Sequence, residues 1–118
     1  MNEALDIEHD LCCASGVVGL LWNLAPHVFT GPKKGPTAHV QARQVLCYLL
    51  LTDAGHSHAA IARILKRNRS TVTHAIDVVT ALRENEVMDE KLDRLGQIFR
   101  ELRDARAAVP DLMKELAA

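Results

Sequence analysis

Apolar residues along this chain recur at intervals of three and four, with no run of strand-like alternation, so the pattern predicts an all-α protein. The clearest stretch runs from Ala59 to Val79. Ile61, Ala62 and Leu65 make one apolar stripe on a short helix, with Ala62 small where a second helix has to cross closely. After the polar link Lys66-Arg67-Asn68-Arg69 the pattern resumes as Val72, Ala75, Ile76, Val79 and Leu82, the spacing of a second amphipathic helix. Two helices joined by a short turn are implied, a helix-turn-helix.

The same reading orders the rest of the chain. A first helix is predicted from about Glu3 to Leu24, closed by Ala25-Pro26, then a Gly-, Pro- and Lys-rich loop to about Pro36. A second helix covers Thr37 to Ala54 and ends at Gly55, and a third starts behind Ser57 as its cap. The fourth spans about Ser70 to Glu84, the fifth about Asp89 to Ala108 before Pro110, and a short tail helix follows Asp111. The expected fold is a small bundle of five or six helices. It divides into a hydrophobic N-terminal helix (1–32), the helix-turn-helix region (33–108) and a tail (109–118), within one compact domain. With 118 residues, 48% of them hydrophobic, the chain can bury a core.

The outer side of the fourth helix carries Arg69, Ser70, Thr73, His74 and Asp77, side chains able to meet phosphates and base edges. Such a helix would lie in the major groove with its N-terminal end foremost. That end also attracts phosphate through its partial positive charge and free N–H groups. Asn68 or Ser70 can cap it. The turn lacks the usual Gly: Lys66 stands there, so either a non-glycine residue adopts positive φ or the turn has another shape.

The segment Gln41 to Val79 resembles the C-terminal DNA-binding domain of the bacterial replication initiator DnaA, a Trp-repressor-like helical fold. The residues that carry the resemblance are Ala42-Arg43-Gln44 opening a long helix, Ser57 with Ile61 on the next, and Arg67-Asn68-Arg69-Ser70-Thr71-Val72 followed by His74-Ala75. Arg67, Ser70, Thr71, Val72 and Ala75 match the family signature. Asn68 replaces its Asp, and Arg69 replaces a His that the family uses for base contact. Arg reads guanine N7 and O6 bidentately, so a changed base preference is implied. The resemblance covers about half the chain and does not reach the initiator's ATPase module. No G-x-x-x-x-G-K-[ST] occurs; in Gly31-Pro32-Lys33-Lys34-Gly35-Pro36 two prolines remove N–H groups a phosphate cradle would need. The family places a basic loop ahead of the long helix to reach the minor groove, and Lys33 and Lys34 sit suitably upstream of Arg43.

The net charge of −1 argues against nucleic acid until it is divided along the chain. Residues 1–32 hold four acids and no Lys or Arg, residues 33–83 hold eight Lys/Arg against two acids, and residues 84–118 hold six against nine. A basic centre between acidic ends is the footprint of a small DNA reader with separate partner-binding or solubilising flanks.

Leu11 to Ala25 is nearly uncharged, too short to span a bilayer and preceded by acids where a signal peptide wants a basic start. It predicts a helix buried on several sides, against the second helix or a second subunit, with Gly16 and Gly19 permitting close approach. Met88, Leu92, Leu95, Phe99 and Leu102 follow a heptad rhythm for only about two heptads, which favours packing back onto the helix-turn-helix. Homodimerisation through the first or fifth helix is the natural way for so small a reader to gain affinity.

Cys12, Cys13 and Cys47 form an odd set without a signal peptide, pointing to free thiols in a reducing cytoplasm. A metal site from His9, Cys12, Cys13, His56 and His58 lacks the C-x₂₋₄-C spacing of structural zinc, and no cofactor is implied. No nucleophile is placed by local sequence, so no enzyme is expected. Aromatic content of 3% argues against single-stranded binding by base stacking. The expected function is sequence-specific binding of double-stranded DNA by a bacterial or phage regulator of transcription or replication. Arg67 and Lys66 would hold phosphate, Arg69, Ser70, Thr73 and His74 would read base edges, and Arg43 would support the backbone contact. A protein-interaction adaptor on the same fold, and a transposase- or recombinase-type reader suggested by IARILKRNRSTV, are the alternatives.

Overall fold

The computed structural model describes residues 3–117, with side chains from Asp6 onward. Residues 1, 2 and 118, the outermost of the expected first and third divisions, lie outside the described residues. Regular structure is entirely helical among the described residues: α1 (Glu3–Trp22), the single turn α2 (His27–Thr30), α3 (Thr37–Thr52), α4 (His58–Leu65), α5 (Arg69–Leu82), α6 (Glu86–Arg106) and α7 (Val109–Ala117). Six of these have eight or more residues, as the apolar spacing predicts. α2 lies inside the stretch expected to be loop. It forms because Phe29 there is wholly buried and brings its turn with it.

α3 is the centre of the core. From Val45 to Leu50 every side chain is buried, so this helix has to be covered on most sides, and α1 and α5 do so. α1 contributes Cys13, Ala14, Val17 and Val18. The apolar first helix therefore packs within its own chain, against α3 and α6, but not along its whole length, since Leu20 and Leu21 near its end are exposed. Its two glycines differ: a Cβ on Gly16 would meet nothing, whereas one on Gly19 would stand 2.7 Å from the carbonyl oxygen of Leu24. That close approach is the helix's own end turning back.

Two helices end in left-handed residues other than glycine. Asn23 (φ 55°) lets the Leu24 N–H donate to the Gly19 carbonyl at 2.8 Å, so α1 stops at Trp22, ahead of the expected Ala25-Pro26. Lys66 (φ 57°) does the same for α4, with the Arg67 N–H donating to the Ala62 carbonyl at 2.9 Å. Both are the six-to-one closure of a Schellman end. After α3, Gly55 at φ 77° takes the role that residue type suits.

α6 starts three residues before the expected Asp89, because the Asn85 side chain accepts from the N–H groups of Val87 and Met88 at 3.0 and 3.1 Å. Its Leu92, Leu95 and Phe99 are buried, but Leu102 is exposed and Met88 only half-buried. α6 leans chiefly on α1, where the heptad spacing had suggested the helix-turn-helix. Polar bonds account for this seat. The buried carboxylate of Asp10 accepts from Arg103 Nε at 2.8 Å and pairs with His56 Nε2 at 2.6 Å. Arg103 also donates to the Asp53 carbonyl, and Arg100 pairs with the Asp53 carboxylate. α7 starts at Val109, two residues before Asp111, with Pro110 in its first turn where a missing N–H costs nothing. No residue of α7 is buried. None of the described helices is long and apolar enough to cross a membrane.

Candidate nucleic-acid interface

The geometry of this region is set by three residues. Lys66 in the left-handed conformation reverses the chain at the end of α4, Arg67 follows, and extended Asn68 (φ −68°, ψ 146°) occupies the N-cap position of α5. α5 then buries Val72, Ala75, Ile76 and Val79 against α3 and α4. Burying that stripe leaves Arg69, Ser70, Thr71, His74 and Asp77 exposed. Asn68 has the cap position but makes no side-chain cap bond, so the first-turn N–H groups of α5 are not closed off by a side chain. A helix end in this state has both the donors and the dipole to receive an anion.

The basic loop is held against this end by two guanidinium groups. Arg67 Nη2 donates to the carbonyls of Gly31 at 2.5 Å and Lys33 at 3.4 Å, and Arg43 Nη2 donates to the carbonyl of Lys34. Bonding through the backbone leaves the Lys33 and Lys34 side chains exposed beside the start of α5. A cleft of about 590 Å³ results, lined by Lys34, Arg43, Arg67, Ser70, Thr71 and His74, among others.

Arg43 is only 9% exposed, and its Nε has no hydrogen-bond partner. Burial, together with the neighbouring charge of Arg67, holds its pKa below the usual arginine value. Two guanidiniums that repel one another across a cleft, one with an orphaned N–H, form a site that an anion would stabilise. Cys47, also lining this cleft, is pushed up to about 12 by burial and stays a neutral thiol.

Of the twelve candidate residues, Lys33, Lys34, Arg43, Lys66, Arg67, Asn68, Arg69, Ser70, Thr71 and His74 gather around the turn and the first turns of α5. Two have other employment. Ser57 caps α4, its hydroxyl accepting from the Ala60 N–H at 3.1 Å. Thr73 is half-buried, with Oγ1 at 2.9 Å from His58 Nδ1. That leaves Thr73 poorly placed to reach a base. The Arg67 guanidinium, expected on phosphate, is bonded to the loop carbonyls. The pairing of His58 with Thr73 and the place of Cys47 in the cleft wall were not legible in the sequence. Nothing in spacing signals either, since both depend on how α3, α4 and α5 cross. His56 is bonded to Asp10, and the described residues contain no group of three or more His, Cys, Asp or Glu placed to hold a metal ion. No protein-family model, no curated protein and no solved structure matches this chain.

Proposed function

We propose that this chain is a sequence-specific reader of double-stranded DNA, a regulator of transcription or replication that lays the first half of α5 in the major groove. The observation that carries this reading is the start of α5. Its first-turn N–H groups lack a side-chain cap, its outer side chains are exposed, and two arginines fix a lysine-bearing loop beside it. Phosphate would seat in the cleft against Arg43, Lys34 and the α5 N-terminus, with Lys66 on the adjoining backbone. Arg69, Ser70 and His74 would then face base edges, and Lys33 would extend along the duplex toward the minor groove. Arg67 acts by positioning the loop. The resemblance to the initiator's DNA-binding domain supports the same orientation, and it supplies the first duplex to try.

The test compares two single substitutions on cognate and scrambled duplexes. Arg69→Ala is expected to lose roughly 1–3 kcal/mol on the cognate site and little on the scramble, the signature of a base contact. Lys66→Ala is expected to weaken both equally, as a phosphate contact does. Equal losses for Arg69→Ala on both duplexes would remove α5 from the base-reading role.

A further inference from the structure

α7 presents an apolar stripe that nothing in its own chain covers. Val109, Leu112, Met113 and Leu116 follow the i, i+3, i+4, i+7 rule, and they are 41%, 52%, 64% and 87% exposed. The same chain holds an open apolar groove of about 680 Å³ between α3, α5 and α6, closed at one side by Leu21 and Trp22 at the end of α1. Its walls include Val45 from α3, Val79 and Leu82 from α5, and Leu95 and Ile98 from α6. A stripe and a groove of matching character in one molecule invite pairing, and two features decide how.

The first is reach. Only Ala107 and Ala108 separate α6 from α7. Folded back along α6, α7 would carry Leu116 about 10 Å, which returns it only to the level of Ile98 and Phe99 at a 1.5 Å rise per residue. The groove continues along α6 to Met88, about 15 Å further. The tail of the same chain therefore does not fill it.

The second is charge. Lys91 and Arg94 stand at the groove, and the one ion pair of either among the described residues is an exposed contact of Arg94 with Glu90 in the same helix. Glu115 stands at the Leu112 edge of the α7 stripe, while Asp111 and Lys114 lie toward the opposite face of the helix. The charge at the edge of the stripe is thus an acid, complementary to the cations of the groove.

We infer that α7 of one copy docks in the groove between α3, α5 and α6 of a second copy, reciprocally, making a two-fold homodimer. In a two-fold arrangement each contact is made twice. The groove uses the second half of α5, so the basic start of that helix remains free in both copies.

Sedimentation of the full chain at tens of micromolar tests this. The wild type is expected to be a dimer. Met113→Asp, which spoils the stripe, and Ile98→Asp, which spoils the groove, should each be monomeric with an unchanged helical spectrum, since both positions are exposed. Mixed together, they should form a heterodimer, because one intact stripe then meets one intact groove. Lys91→Glu with Arg94→Glu should weaken the dimer at least tenfold, and adding Glu115→Lys should strengthen it again. A monomeric wild type overturns the inference. So does a dimer that survives Met113→Asp, or a mixture of the two variants that stays monomeric.

Discussion

Lys66 combines two roles that pull in opposite directions. As a left-handed residue it carries strain of roughly 1–2 kcal/mol that glycine would not. As an exposed cation at the turn it is well placed for phosphate. Lys66→Gly is expected to stabilise the fold by about 0.5–1 kcal/mol, after allowing for the greater freedom of unfolded glycine, while weakening DNA binding on any sequence. Thermal unfolding beside a binding titration would show the two effects with opposite signs; a destabilised Lys66→Gly would mean that the lysine side chain supports the turn. The thiols give a second residue-scale check. Cys12 is exposed, Cys13 is buried with its pKa raised chiefly by burial, and Cys47 is held near 12. Counting thiols with a chromogenic disulfide at neutral pH should find one fast group in the native protein and three after denaturation. Fast reaction at Cys47 would show that the cleft floor opens in solution.

At the scale of elements, the helices were legible wherever one apolar face had to be buried. The stripe from Ile61 to Val79 located α4 and α5 to within two residues, because period and burial are the same fact seen twice; Leu82, its last expected member, is exposed. Helix ends were harder. Asn23 ended α1 where Pro26 had seemed the obvious stop, and Asn85 started α6 early, since a side chain that caps or turns left-handed acts before the next proline does. Seven of the ten residues gathered at the start of α5 were readable from the basic turn and its register, and Lys33, Lys34 and Arg43 only from the family resemblance. What the sequence did not reveal was the division of labour between them. Arg43 and Arg67 are bonded to loop carbonyls thirty or more residues apart in one case and nine in the other, and no spacing rule reports such a contact. Arg67→Met, which keeps the stem and removes the fork, should therefore release the loop. Expected are faster proteolysis between Gly31 and Gly35 and a DNA-binding loss larger than that of Lys33→Ala. An unchanged cleavage pattern would remove Arg67 from its positioning role.

The whole molecule measures 49 × 31 × 27 Å, with one basic region set among acidic ends. Its net charge of −1 gives no steering toward DNA, so any attraction has to come from the local field around the α3–α5 cleft. That field is narrow, and a monomer reading one half-site through about four or five phosphate contacts would bind modestly. A dimer joined through α7 would present two α5 helices at once and raise the effective concentration of the second. The proposed reading surface and assembly surface lie on different parts of the chain, so the monomeric Met113→Asp variant is expected to keep its base preference while losing affinity.

The most direct measurement is fluorescence anisotropy of the purified chain on a labelled initiator-box duplex and on a scrambled duplex, each across a salt series. Binding is expected to fall with salt at a log–log slope of about −3 to −5, with one duplex favoured at every salt concentration. Steep, equal binding to both would keep the DNA surface and place the cognate sequence elsewhere, to be found by selection from random duplexes. Absence of binding to either duplex at low salt would mean that α5 and its basic loop do not form a DNA-binding surface.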